Sequence, residues 1–77
     1  DQKFTNGQRF VFLRELGFFE IKAVRNLNQG EQGKLVSVIL GVSPRTARAY
    51  INGEVKYLDP TKEQEAKKYL KDNILKD

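Results

Sequence analysis

The chain has only two prolines, Pro44 and Pro60, and each directly follows a helix-capping residue, Ser43 and Asp59. Proline is best tolerated at the first helical position, where its missing N–H has no intrahelical partner to lose. A Ser or Asp just before it accepts a hydrogen bond from the opening turn. Two helix starts are thereby fixed, and the rest of the chain is read around them. Thr5 with Gln8 three residues later has the form of a capping box, opening a helix that runs to about Leu16. Gly17 suits the left-handed position past that helix, with Phe18 folding back onto Leu13. Ile21, Val24 and Leu27 recur at helical spacing and predict a short second helix over residues 19–27. Asn28, Gly30 and Gly33 punctuate the next stretch, so a third helix is expected from near Glu31 to Leu40. Gly41-Val42-Ser43 reads as a tight turn, and the helix opened by Pro44 should stop at Asn52-Gly53. Residues 55–58 read either as an extended connector or as a vestigial wing. The last helix should run from Pro60 to about Leu75 with Ala66, Tyr69, Leu70 and Ile74 on its inner face. The expected fold class is all-α, a small bundle of about five helices.

The 77 residues allow a single domain, residues 1–77, with a thin core that buries roughly three-fifths of the unfolded surface. The chain starts at Asp1 and has no Met, so it reads as a domain excised from a larger protein. No run approaches the roughly 18 uninterrupted apolar residues of a membrane span. Cys and His are both absent, which excludes disulfides, thiolate metal sites and the commonest general base and metal ligand. Ser37 and Ser43 are the only serines, with no His to activate either. No enzyme activity, cofactor or metal is therefore expected. Gly30-Glu31-Gln32-Gly33-Lys34 has some features of a phosphate-binding loop, but Asn28 stands where that loop needs its first Gly. Leu35 also stands where it needs Ser or Thr, so the segment reads as a helix start.

Charge is unevenly spread. The net charge is +4, and residues 33–57 carry Lys34, Arg45, Arg48 and Lys56 against Glu54 alone. Residues 58–77 balance five basic against five acidic side chains. A basic excess concentrated on one segment suggests a polyanionic partner. Successive helical residues turn by about 100°, so Arg48, Ala49 and Asn52 fall within about 60° of Arg45. Ala47, Tyr50 and Ile51 fall on the opposite face. One face is apolar; the other offers two guanidinium groups, an amide and a small residue that permits close approach. Arg can pair bidentately with guanine O6 and N7, and Asn with adenine N6 and N7. Backbone N–H groups near Ser43 suit a phosphate.

The stretch from residue 33 to residue 52, GKLVSVILGVSPRTARAYIN, resembles the core of the helix-turn-helix superfamily of DNA-binding proteins. The resemblance covers about a quarter of the chain. Ser37 stands at the small position in mid first helix, Gly41 opens the turn, and Val36, Leu40 and Val42 fill apolar positions. Ala47 and Tyr50 are the inward pair of the second helix, where a branched aliphatic is commoner. The resemblance implies sequence-specific binding of double-stranded DNA, by a transcriptional regulator or a mobile-element regulatory factor. The expected contacts are Ser43, Arg45, Thr46, Arg48, Ala49 and Asn52, with Lys34 and Lys56 holding phosphates. A cytoplasmic, nucleoid-associated location goes with that reading.

All five Phe lie between residues 4 and 19, and Phe10, Val11, Phe12 and Leu13 run consecutively, covering nearly the whole circumference of their helix. A surface helix buries only one stripe. Either this helix is central to the bundle, or one face meets a second copy or a parent chain. The rival function is accordingly a protein-interaction module using the Phe-rich helix, since a fold does not dictate its function.

Overall fold

A computed structural model describes residues 3–75 and contains five α-helices and no strand among them. Helix α1 spans Asn6–Glu15, α2 Lys22–Arg25, α3 Gln29–Leu40, α4 Pro44–Ile51 and α5 Pro60–Asn73. The caps account for most of these boundaries. Thr5 and Gln8 form the reciprocal capping box of α1, at 3.0 and 3.1 Å. Asn28 and Glu31 form a second one, which starts α3 two residues before the expected point. Ser43 and Asp59 cap α4 and α5 ahead of their prolines, accepting from the amides of Thr46 and Thr61. Gly17 takes the left-handed conformation past α1, with φ at 92°.

Three expectations are corrected. The second helix is not continuous: a 3₁₀ turn over Phe18–Glu20 ends at Ile21, whose extended backbone (ψ 128°) separates it from the single turn of α2. Residues 55–58 are neither extended nor a wing. The amides of Tyr57 and Leu58 both bond back to the Glu54 carbonyl, closing a turn that buries Leu58. Leu58 reaches Gly7 of α1, where an added Cβ would lie 3.3 Å from Leu58 Cδ1 and 3.3 Å from the Tyr57 carbonyl. Helix α5 stops at Asn73, so Ile74 falls beyond the inner face and is 57% exposed. Ala66 and Leu70 are buried as expected, and Tyr69 is half-buried.

Helix α1 is the centre of the bundle, packed on α5 and touching α3. Phe10 and Val11 are sealed in a core with Val36, Ala47, Tyr50, Leu58 and Ala66. Phe10 stacks obliquely on Phe19 and Tyr50, with ring centroids 5.7 and 5.6 Å away. On another side of α1, Phe4 meets Phe12 and Tyr69 edge-on at 4.8 and 4.9 Å. Each fully buried side chain of Phe size contributes about 1.5–3 kcal/mol, so a small domain gains most from putting these rings inside. The buried amide of Gln8 is satisfied across the bundle, donating to the Lys62 carbonyl at 3.2 Å and to Glu65 at 3.3 Å. That bond ties the cap of α1 to the first turn of α5.

Candidate nucleic-acid interface

Helices α3 and α4 form the most extensive helix pair in the molecule, joined by two residues and a glycine. Gly41 ends α3 with φ at 73°, its amide bonded to the Ser37 carbonyl. That left-handed residue reverses the chain, and Val42 turns inward against the core. Ser43, with extended backbone, then starts α4. Its hydroxyl donates to Thr46 Oγ1 at 3.0 Å while accepting from the Thr46 amide at 3.1 Å. Ala47 and Tyr50 face the core, as the helical spacing predicts. Ser37 is buried at the centre of α3, its hydroxyl satisfied by the Lys34 carbonyl at 2.7 Å.

The outward side of α4 is more finely divided than a helical wheel suggests. Arg45 is exposed in the first turn, beside the capping hydroxyls. Arg48 is exposed at its charged end, but its aliphatic stem lies across Gly33 of α3. A Cβ at Gly33 would come within 2.6 Å of Arg48 Cγ, closer than real side chains approach. Asn52 caps α4, and its side-chain oxygen accepts a hydrogen bond from Gln29 Nε2 on the first turn of α3. One lone pair of that oxygen is thereby taken, so presenting the donor–acceptor pair that adenine requires means sharing the oxygen with Gln29 or releasing it. Ala49 is a correction: it is 4% exposed and belongs to the buried side, so it leaves no gap through which a ligand could approach. Thr46 is half-buried, with its hydroxyl bonded to Ser43. Lys34 is exposed on α3, and Lys56 is exposed in the turn after α4 with its ammonium 5.9 Å from the Tyr57 ring centre.

Among the described residues, none of Lys34, Arg45, Arg48 and Lys56 takes part in an ion pair. The pairs present all lie on α1 and α5, led by Arg14 to Glu63 at 2.6 Å and Lys68 to Asp72 at 2.8 Å. The first turn of α4 carries no acidic side chain. The cations of the α3–α4 side are thus without a paired carboxylate, as are Arg9, Lys22, Arg25 and Lys71 elsewhere among the described residues. The close approach at Gly33 and the Gln29–Asn52 bond were not read from the sequence. A signal for the first existed, because a glycine inside a helix costs about 1 kcal/mol against Ala and calls for a packing reason. No group of three or more potential metal ligands occurs among the described residues, and no helix there is long and apolar enough to cross a membrane. Comparison with family models, curated proteins and solved structures finds no match for this chain.

Proposed function

We propose that the protein binds double-stranded DNA in a sequence-specific manner, with α4 entering the major groove. The observation that carries this reading is the pair Arg45 and Arg48, projecting without acidic partners from a helix set by a glycine turn and a Ser-Pro cap. Arg45 sits in the opening turn, the part of a recognition helix that meets base edges. The amides near Ser43 and the positive end of α4 suit a backbone phosphate, with Lys34 and Lys56 as flanking anchors. Gly33 lets Arg48 lie close to α3, which holds its stem and narrows the directions its guanidinium can take. Such a module serves a transcriptional regulator or a regulatory factor of a mobile element. The rival reading needs an outward-facing Phe-rich helix, and the inward packing of Phe10 and the half-burial of the other four rings favour DNA over it.

The test is binding to random-sequence duplex DNA over a salt series, followed by fluorescence anisotropy. A motif-centred excess of a few charges should give a log–log slope of about −2 to −4. A folded chain that fails to bind even at low salt would favour the protein-interaction reading.

A further inference from the structure

Asparagine followed by glycine is among the least durable pairs in a protein chain, and it occurs twice here, at Asn6-Gly7 and Asn52-Gly53. The glycine amide nitrogen can attack the asparagine side-chain carbonyl carbon, and glycine has no side chain to hinder the approach. Both pairs follow a β-branched residue, Thr5 and Ile51, so their local sequence does not set them apart. The fold does. Gly7 is buried in the first turn of α1, where an added Cβ would meet Leu58, the Tyr57 carbonyl and the Tyr50 ring. Asn52 and Gly53 are both exposed at the far end of α4. Among the described residues nothing lies within 4 Å of where a Gly53 Cβ would stand. Gly53 ends the helix in the left-handed conformation, with φ at 70°, so the stop signal of α4 is what puts a labile pair at the surface.

For the attack, the Cα–C bond of Asn52 must turn until the Gly53 nitrogen comes round to Cβ. With ψ at −6° that nitrogen instead eclipses the nitrogen of Asn52 itself. Turning the bond breaks two hydrogen bonds of 3.0 Å, from the Gly53 amide to the Tyr50 carbonyl and from the Glu54 amide to the Ala49 carbonyl. These close the last turn of a helix, and helix ends open at little cost. The same rotation at Asn6 would lift Gly7 out of its packed seat beside Leu58. Asn52 has one restraint of its own: Gln29 Nε2 on α3 donates to its side-chain oxygen. That bond holds the Asn52 amide towards α3, and Cγ meets the Gly53 nitrogen only after it is released.

We propose that Asn52 is a site of spontaneous deamidation, slowed by Gln29 as a positioning residue. The Gly53 nitrogen gives its proton to solvent and bonds to Asn52 Cγ. The Cγ–Nδ2 bond breaks, the side-chain nitrogen leaves as ammonia, and a five-membered succinimide closes. Water then adds to one of the ring's carbonyls and opens it to an aspartyl or isoaspartyl residue. Solvent supplies every other reactant. The product places a carboxylate four residues after Arg48, one helical turn away, where opposite charges attract. It also stands at the negative end of α4, where an anion is unfavourable. Deamidation is thus a one-way change of charge on the α3–α4 side. The chemical step does not depend on DNA binding; its effect on DNA affinity rests on that reading.

The experiment ages the chain in mildly alkaline buffer at physiological temperature and follows both Asn-Gly pairs by peptide mapping with mass spectrometry. In the folded chain Asn52 should convert about tenfold faster than Asn6, and in urea the two should convert at similar rates. Gln29→Ala should quicken Asn52 severalfold and leave Asn6 unchanged, which separates release of the side chain from a general loss of stability. Equal rates at the two pairs in the folded chain, or an Asn52 rate unmoved by Gln29→Ala, would overturn the proposal. Asn52→Asp stands in for the product and should bind random duplex DNA severalfold more weakly than the fresh chain. An unchanged duplex affinity in Asn52→Asp would overturn the effect assigned to the new carboxylate. A fresh chain that ignores duplex DNA yet deamidates at Asn52 would remove the DNA reading and leave the modification site in place.

Discussion

Gly41 and Gly33 lie eight residues apart on the same helix pair and resist substitution for different reasons. Nothing lies within 4 Å of where a Cβ on Gly41 would stand, so a side chain there is opposed only by the left-handed backbone. Gly33 has ordinary helical geometry, and its obstacle is the stem of Arg48. Gly41→Val should therefore lower stability by about 1–3 kcal/mol, seen as a lower melting temperature. Gly33→Ala gains about 0.8–1 kcal/mol of helix propensity and loses a similar amount by displacing a side chain that solvent can accommodate. Its melting temperature should stay near wild type while its affinity for DNA falls, because Arg48 loses its resting place. A large fall in stability for Gly33→Ala, or none for Gly41→Val, would show that these reasons are misassigned. Arg45, Arg48 and the capping role of Ser43 were legible in the sequence because local spacing decides them. The burial of Ala49 and the bond from Gln29 to Asn52 were not, because a helical wheel ignores what stands beside the helix. Gln29 and the turn after α4 lie far away in sequence or outside any periodic pattern.

Caps carry the elements of this fold. Four of the five helices begin at a Thr, Asn, Ser or Asp whose side chain takes an amide of the first turn. Three of those starts could be read directly, since side chain and first turn are neighbours in sequence. The fourth, Asn28 with Glu31, has the same signature, but Gly30 read as a break when it is in fact helical. The short α2 escaped for another reason. A single turn has too few hydrogen bonds to stand on propensity, so packing and the extended Ile21 decide where it lies. The turn at residues 55–58 is likewise fixed from outside, by the space Gly7 leaves for Leu58. Helix α4 depends most on its cap, having only eight residues and Pro44 in place of a first donor. Ser43→Ala should cost about 0.5–2 kcal/mol, against little change for Ser43→Asp, which also caps. Thermal denaturation of the two variants checks this, and equal losses in both would mean that the cap bond contributes nothing.

Among the described residues, the ion pairs gather on one side of the molecule. On α1 and α5 four cations face carboxylates: Arg14 and Lys67 share Glu63, Lys62 approaches Glu65, and Lys68 holds Asp72. Exposed pairs of this kind contribute about 0–1 kcal/mol each, so they matter less for stability than for cancelling the field on that side. On the α3–α4 side Lys34, Arg45, Arg48 and Lys56 have no such pairing, an arrangement that would favour the approach of a polyanion. If that surface reads DNA, its cations should divide by placement. Arg45 projects from the opening turn with no packing role, so Arg45→Ala should cost about 1–3 kcal/mol on a selected site and narrow the gap to random DNA. Arg48→Ala should cost both affinity and some packing against Gly33, which makes Arg45 the cleaner probe. Lys34, one helix back, should act on phosphates alone. Lys34→Ala should weaken selected and random duplexes alike and flatten the salt slope by about one unit. Selection from a random-duplex pool supplies the site, and the same salt series measures all three variants. If Arg45→Ala weakens every sequence equally, α4 anchors phosphates and does not read bases. Sequence preference would then have to come from the shape and bending of the duplex, which charge placed along a surface can sense without touching a base.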